Sequence, residues 1–190
     1  MPSIKDQKLL YHLTSLANVG AILDSGLQPR AALDNFRDVA DAEILAGRGE
    51  HDLDGYVPFH WFSRNPFDGR VQNDQPHEDF VLVTVHRTLA EERNWKIIPS
   101  HPLGRQGFEI YDYQEGFEII DWDLMDLRDY HDPDCKSVCV AECLSPEPVS
   151  VSDFFKIFVS TEQVRDLVLS EASARGQSLE VVANPNMFRQ

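Results

Sequence analysis

Ser137-Val138-Cys139-Val140-Ala141-Glu142-Cys143-Leu144 is an apolar run that contains one carboxylate and lies between two proline-containing turns. A short apolar run with such boundaries predicts a mostly buried β-strand. Because side chains alternate along a strand, Val138, Val140 and Glu142 should share one face. Burying a bare carboxylate costs several kcal/mol or more, so Glu142 must be paired, neutralised or used for function. The alternative is an edge position from which the carboxylate simply reaches water.

The size and composition of the chain predict one globular domain over residues 1–190. Of its 190 residues, 42% are hydrophobic and eleven are Phe, which is enough for one core of ordinary size. The sequence has no apolar run long enough to span a membrane. Its first eight residues lack the apolar centre of a signal peptide. We therefore expect a cytoplasmic protein with no membrane association.

The cysteines and acidic residues predict neither a disulfide nor a metal site. Cys135, Cys139 and Cys143 are spaced four apart, which would place them on one face of the predicted strand. Successive thiols would then be roughly 13 Å apart, too far for a disulfide or a shared metal ion. We expect reduced thiols, as is usual in the cytoplasm. The acid-rich residues 117–129 show no recognised ligand spacing for a metal.

The net charge is strongly negative. Seventeen Lys and Arg against 32 Asp and Glu give a formal charge of −15. This balance argues against broad non-specific affinity for nucleic acid, but it allows a local basic groove or a basic partner. The candidates for such a groove are Arg48, Arg64, Arg70, Arg87, Arg93 and Arg105.

The N-terminal residues predict a strand followed by a helix. Residues 9–13 form a compact apolar strand that holds His12. Thr14 and Ser15 are helix-capping residues, residues 16–23 are apolar at helical spacing, and Gly26 ends the helix. His12 would therefore precede a helix N-terminus, where free backbone N–H groups can bind a polar ligand. A purely structural histidine is the alternative.

Residues 28–55 are polar, and we interpret them as a long loop with one short helix at residues 38–46. Long loops in small domains are usually functional or mobile. Arg48 stands between two glycines, so its backbone can bend toward a ligand. The alternative for Arg48 is a solvated surface charge.

The rest of the chain predicts an α+β fold. Residues 56–62 are strongly aromatic and suit a strand, whose side chains belong either to the core or to a platform on which a base stacks. Residues 68–79 form a polar loop in our interpretation, and Ser160 caps a helix that Gly176 ends. Further strands are predicted at residues 80–85, 95–99 and 179–183, and another within residues 151–159.

A series of segments, taken in order, resembles the DarT family of toxins, which use NAD to ADP-ribosylate bases of single-stranded DNA. Each segment alone is a weak signal, but together they extend over nearly the whole chain. The segments are residues 10–19, 22–27, 39–48, 53–66, 140–144, 156–159 and 181–185. Two positions depart from the family pattern: His60-Trp61 stands where the family has tyrosine, and Pro66-Phe67 stands where it has Pro-Met.

The resemblance implies a fold and a set of site residues. The fold would be α+β, with a split mixed or antiparallel sheet of the ADP-ribosyltransferase type and flanking helices. Glu142 would be the catalytic carboxylate, and Arg48 would contact NAD and assist catalysis. The remaining assignments are His12, Thr14, Asn18, Tyr56 and His60 for NAD, and Trp61, Arg64 and His101 for the DNA substrate.

The implied function is NAD-dependent transfer of ADP-ribose to a base of single-stranded DNA, by a toxin that an antitoxin protein holds in check. NAD would be the second substrate, in a pentosyl transfer. Two alternatives remain open: the same chemistry on RNA or protein, and a non-catalytic module that only binds NAD. Release of nicotinamide separates an enzyme from a binding module.

Overall fold

The computed structural model describes residues 3–34, 36–38, 52–101 and 109–189, and one mixed β-sheet forms the centre of the fold. Its seven strands within these ranges lie in the order β4-β5-β2-β1-β3-β6-β7, and every neighbouring pair is antiparallel except β6 and β7. The strands are β1 Leu9–Ser15, β2 Val57–His60, β3 Phe80–His86, β4 Lys96–Ile98, β5 Glu142–Ser145, β6 Lys156–Val159 and β7 Val181–Ala183.

Short helices flank this sheet, which confirms the α+β fold expected from the sequence. In the described ranges the α-helices are α1 Val19–Ser25, α2 Pro66–Asp74, α3 Arg87–Glu92, α4 Tyr113–Ile119, α5 Trp122–Leu127, α6 Pro133–Val138 and α7 Glu162–Ala174. Single turns of 3₁₀ helix lie at Ile4–Asp6, Leu16–Asn18, Arg30–Ala32, Leu53–Gly55, Val151–Asp153 and Pro185–Met187. No helix in these ranges is both long and apolar enough to cross a membrane.

The sheet opens between β1 and β2. Strand β1 pairs with β3 along its full length, from Leu9↔His86 to Ser15↔Phe80. With β2 it pairs only at Tyr11↔His60. Proline has no N–H to donate to a neighbouring strand, and the carbonyl of Pro58 instead accepts a hydrogen bond from His12 Nδ1 at 2.7 Å. A side chain therefore replaces ladder pairing where the two strands separate.

The main core packs against one face of the sheet. Phe59 on β2, Cys143 on β5 and Ile97 on β4 are fully buried on this face. Phe59 stacks on Trp95 with ring centroids 5.2 Å apart. Apolar side chains of α1 and α7 cover the same face, including Leu23. The burial of these large side chains supplies the main driving force for folding.

The predicted strand over residues 137–144 is wrong in its first half. Residues 133–138 form α6, where the Asp132 side chain accepts a hydrogen bond from Cys135 N at 2.8 Å. A capping Asp followed by a proline at the first helical position is a strong start signal, and here it prevails over the apolar pattern. The three cysteines therefore do not share a strand face: Cys135 is helical, Cys139 caps α6 and Cys143 lies on β5, all of them free and buried.

Two other element predictions are corrected in the same way. The predicted loop at 68–79 is in large part α2, capped by Asn65 Oδ1, which accepts from Asp68 N at 2.9 Å. Helix α7 is capped by Thr161, one residue after the predicted Ser160. The predicted ends at Gly26 and Gly176 are confirmed, since both glycines have positive φ. The short helix predicted at 38–46 lies almost entirely outside the described residues.

Candidate active site

Glu142 lies in the interior of the sheet and not at an edge. It is the first residue of β5, where it pairs with His60 on β2 and with Ile98 on β4. His60 in turn pairs with Tyr11 on β1. Paired positions project to the same side of a sheet, so these four side chains form one row. Glu142 and His60 are each only 6% exposed, which removes the explanation that Glu142 simply reaches water.

The turn between α6 and β5 sets the position of this row. Ala141 N donates to the carbonyl of Val138 at 3.0 Å, so the chain leaves the helix and enters the strand within three residues. The Ala141 carbonyl faces β2, where His60 Nδ1 approaches it at 3.4 Å. The His60 ring also packs against Phe67 of α2 at 5.3 Å. The imidazole is therefore held between β5 and the start of α2.

His101, which follows β4, is close enough to Glu142 for the charge of that carboxylate to affect its pKa. Its backbone N–H donates to Ser137 Oγ at 3.2 Å. Partial burial lowers the pKa of His101, the negative charge of Glu142 raises it, and the positive charges of Lys136 and Arg70 lower it further. The net effect favours the neutral imidazole, which can accept a proton.

His12 does not share the row of Glu142. It is the residue after Tyr11, so its side chain leaves the opposite side of β1. There its ring lies 5.6 Å from the ring of Phe59, and its Nδ1 is bound to Pro58. His12 therefore lies at the opening between β1 and β2, with the structural role described above.

Asn18 and Thr14 anchor a neighbouring segment. Asn18 Nδ2 donates to Thr14 Oγ1 at 3.1 Å and to the carbonyl of Arg37 at 2.8 Å. Asn18 Oδ1 accepts from Arg37 N at 2.8 Å. Both amide donors are thus used inside the chain, which leaves one lone pair of Oδ1 for a ligand. The amide holds the described residues 36–38 against the β1–α1 turn.

Arg30 joins the two sides of the segment that carries Arg48. Its guanidinium pairs with Asp38 at 2.7 Å and with Asp54 at 3.8 Å. Residues 39–51 lie between these two acids in sequence and outside the described residues, so Arg48 has no described position. The two ion pairs of Arg30 therefore hold together the residues that flank this segment in sequence, Asp38 and Asp54.

The structure separates the two aromatic site candidates. Tyr56 packs with Leu53, Ile98 and Leu144 on the face of the sheet that carries Glu142. Trp61 is 1% exposed, and its indole packs edge-on against Trp122 at 5.1 Å. No face of this indole is open to a base. Trp61 is therefore a core residue and is not brought to the site.

Most of the arginines considered for a DNA groove have other roles. Arg87 is buried and donates to backbone carbonyls of Ile4, Lys5, Leu9 and Trp61; burial lowers its pKa to about 10. Arg93 pairs with Asp153 at 2.8 Å, and Arg70 pairs with Asp74 at 3.6 Å. Arg105, like Arg48, is outside the described residues. Arg64 remains, in the exposed turn that follows β2.

Three basic residues near Arg64 were missed by sequence reasoning: Arg128, Lys136 and Arg189. They come from three separate parts of the chain, so no local pattern connects them.

Among the described side chains, no group of three or more His, Cys, Asp or Glu is arranged to hold a metal ion.

An α+β fold with an opened sheet and a buried glutamate on an interior strand agrees with the ADP-ribosyltransferase class expected from the sequence. A family model described as ssDNA thymidine ADP-ribosyltransferase, DarT, matches residues 11–189. The chain therefore belongs to the DarT family. Family membership confirms the resemblance, and with it the class of reaction, ADP-ribosyl transfer to single-stranded DNA.

Solved structures of DarT proteins share the fold. Thermus sp. 2.9 DarT in complex with ADP-ribosylated ssDNA has a TM-score of 0.83 and 17% identity, over 95% of this chain and 96% of that chain. The same protein in complex with NAD+ has a TM-score of 0.78 and 14% identity, over 97% and 98%. Thermosipho africanus DarTG in complex with ADP-ribose has a TM-score of 0.75 and 22% identity, over 96% of this chain and 51% of that chain. No curated protein sequence matches the chain.

Proposed function

We propose that this protein transfers ADP-ribose from NAD+ to thymidine in single-stranded DNA, with Glu142 as the catalytic carboxylate. The observation that carries this proposal is the buried position of Glu142, in the interior of the sheet beside His60, in a member of the DarT family. One related structure holds NAD+ and another holds ADP-ribosylated ssDNA, the product of the transfer, which supports NAD+ and single-stranded DNA as the two substrates here. We take residues 1–190 as one ADP-ribosyltransferase domain.

The first half of the reaction breaks the bond between nicotinamide and C1′ of the ribose. The bonding electrons leave with nicotinamide, which becomes neutral, and the ribose becomes an oxocarbenium-like cation. The Glu142 carboxylate accepts a hydrogen bond from the ribose 2′-OH and stabilises the developing positive charge. Its burial strengthens this interaction, because water screens it less.

The second half forms a bond between C1′ and thymine. In thymidine N1 is bound to the sugar, so N3 is the remaining ring nitrogen, and it carries a proton. The C1′–N3 bond forms as the N3–H bond breaks, and Glu142 takes the proton as general base. His101 lies in the electrostatic neighbourhood of Glu142 with a lowered pKa, so it can accept the proton from the site and pass it to water.

The other assigned residues have supporting roles. Arg48 binds the diphosphate of NAD+, because a guanidinium pairs phosphate oxygens and keeps its charge. We assign Tyr56 and His60 to the NAD+ site on the face that carries Glu142, and His12 and Thr14, on the opposite face of β1, to the border of that site at the opening between β1 and β2. Asn18 acts mainly by anchoring residues 36–38, which lead toward Arg48 in sequence.

The biological role that fits this activity is that of a toxin. Modification of a base in single-stranded DNA interferes with copying of the strand. One of the similar structures is a DarTG protein, which supports an antitoxin protein as partner. We place the activity in the cytoplasm, where NAD+ and DNA are both present.

The direct test is to incubate the full chain with NAD+ and with single-stranded oligonucleotides that contain one kind of target base each. We expect the thymidine oligonucleotide alone to gain one ADP-ribosyl group by mass spectrometry. Glu142→Gln should lower the rate by roughly 10²–10³-fold or more. Glu147→Gln, at an exposed glutamate just after β5, is the matched control and should keep the activity.

Two results would overturn parts of this proposal. Transfer to a uridine-containing RNA or to protein, and not to the thymidine oligonucleotide, would show that thymidine in DNA is not the acceptor. Undiminished transfer by the Glu142→Gln variant would remove Glu142 as the catalytic carboxylate.

A further inference from the structure

Four basic side chains of this acidic protein have no carboxylate partner among the described residues. They are Arg64, Arg128, Lys136 and Arg189, and none takes part in a salt bridge. Most other described cations pair with an acid, while Arg87 is bound to backbone carbonyls and Lys5 and Lys8 lie near the N-terminus. With 32 acids in the chain, four unpaired cations in one region require an explanation.

Three of these four residues border one cavity, and Arg128 is not part of its lining. Arg64, Lys136 and Arg189 line a cavity of about 360 Å³, and no Asp or Glu is among the described residues that line it. We call it the basic groove, defined by Arg64, Tyr130, Lys136 and Arg189. Asn65, Pro66, Gly69 and Gln72 also line it. The side chains of Asn65 and Gln72 are already hydrogen-bonded within the chain, and Gly69 allows a ligand to approach the backbone closely.

The backbone around the groove is held in an unusual conformation. Arg64 has φ 62° and Arg128 has φ 50°, both in the left-handed region that residues other than glycine rarely adopt. The Tyr130 hydroxyl donates to the carbonyl of Arg64 at 3.2 Å, and the Arg128 guanidinium lies over the Phe62 ring at 4.7 Å. Such conformations cost about 1–3 kcal/mol and are retained mostly at functional sites.

The groove lies beside the Glu142 row. Arg64 follows His60 by four residues, so β2 leads directly from the row to the groove. On the other side, Lys136 acts electrostatically on His101, as Glu142 does. A ligand in the groove can therefore extend to the reacting centre.

We propose that the basic groove binds the phosphate backbone of single-stranded DNA next to the target thymidine. This inference rests on the proposed function, since it names where that substrate is held. Arg and Lys are the side chains that bind phosphate oxygens, and here they need not break an existing ion pair to do so. The chain as a whole carries a net charge of −15, which repels DNA, so the groove also fixes where the strand binds. Tyr130 is a positioning residue that holds the Arg64 backbone.

The test measures binding of a fluorescent thymidine-containing oligonucleotide to the full chain without NAD+, by anisotropy at several salt concentrations. We compare the wild type with the triple variant Arg64→Gln, Lys136→Gln, Arg189→Gln. We expect the triple variant to bind about 100-fold more weakly, and each lost contact to reduce the slope of log K against log salt by about 0.7. Arg165→Gln, on α7, removes one exposed and ion-paired cation and should change neither value.

Turnover experiments separate the groove from the NAD+ site. In the groove variants the KM for the oligonucleotide should rise while the KM for NAD+ stays constant. Tyr130→Phe removes no charge, so it should weaken binding less than the triple variant and leave the salt slope unchanged. Unchanged affinity and unchanged slope in the triple variant would overturn the inference.

A rise in the KM for NAD+ instead would also overturn it, because the groove would then bind the NAD+ diphosphate. A wild-type chain that binds single-stranded DNA through the groove but modifies another base would contradict the proposed function and leave the groove assignment intact.

Discussion

Adjacent residues on the same strands of this protein have opposite roles. On β2, Phe59 is buried in the main core, while His60 belongs to the row on the other face. On β5, Cys143 packs in the core and Glu142 lies next to His60. Because side chains alternate, one short strand can contribute to stability on one face and to chemistry on the other. A shift of one residue in pairing would exchange the two sets.

The two faces also differ in how well their side chains suit their surroundings. The core face contains apolar groups that gain free energy from burial. The other face buries Glu142, a group that ordinarily favours water. A residue whose burial is unfavourable but whose chemistry is needed is typical of an active site, where stability is exchanged for function. Substitutions on the two faces should therefore change different measured quantities.

The largest expected effect on stability is on the core face. Phe59→Ala removes a fully buried ring that stacks on Trp95, and it should lower the free energy of unfolding by about 3–5 kcal/mol. His60→Gln, one residue along the same strand, should lower it less and should reduce ADP-ribosyl transfer. Urea denaturation and an activity assay on both variants make the comparison. Equal losses of stability would contradict the assignment of the two faces.

The second expected effect is a pH dependence of stability caused by Asp68. This buried carboxyl group is on α2, next to the Phe67 that packs against His60. It is 1% exposed, and neither of its oxygens has a hydrogen bond of good geometry within the described residues. Burial raises the pKa of Asp68 to about 7, while the Asn65 side chain and the Arg64 backbone lower it by smaller amounts. In the unfolded chain the pKa of an aspartate is about 3.9.

The sign of the pH dependence follows from these two values. Between about pH 4 and about pH 7 the folded protein holds a proton that the unfolded chain has lost, so stability falls as the pH rises through this window. Asp68→Asn should remove this dependence and stabilise the fold by roughly 2–4 kcal/mol at about pH 8. Urea denaturation at about pH 5 and about pH 8 measures it, with Asp74→Asn as the exposed control on α2. A variant less stable at both pH values would refute this explanation.

The smallest effect is expected for Asn18. Asn18→Ala removes two hydrogen bonds to the Arg37 backbone and one to Thr14, which should cost about 1–2 kcal/mol of unfolding free energy. Because residues 36–38 lead toward Arg48 in sequence, the KM for NAD+ should rise while kcat changes little. Asn18→Asp keeps the acceptor for Arg37 N and should recover part of the loss. A fall in kcat without a change in KM would mean that Asn18 acts directly in the reaction.

The sequence predicted the elements that have strong local signals. The order of β1 and α1, strand β3 and the glycine ends of α1 and α7 follow from period and turn residues, and the structure confirms them. The predicted helix start is wrong, because Thr14 and Ser15 belong to β1 and Ser15 caps a 3₁₀ turn that precedes α1. Helices α2 and α6 were missed because their sequences lack a helical apolar stripe, although an Asn or Asp followed by Pro marks both starts. Glu142 was correctly placed on a strand, although that strand begins only at Glu142 itself.

The candidate site was only partly accessible from sequence. Trp61 looked available for stacking, but its burial against Trp122 depends on contacts from a helix 61 residues away in the chain. Arg87 looked like a surface cation because the backbone carbonyls that it binds belong to residues far from it in the sequence. The basic groove joins Arg64, Lys136 and Arg189 from distant segments, and only the folded chain brings such residues together.

The most direct test of the central claim is nicotinamide release by Glu142→Gln, measured by chromatography with NAD+ and a thymidine oligonucleotide. Binding of NAD+ is measured in parallel by calorimetry. If Glu142 stabilises the ribosyl cation, the variant should bind NAD+ with nearly the wild-type affinity and release almost no nicotinamide. Release at the wild-type rate by a folded Glu142→Gln variant would contradict the account.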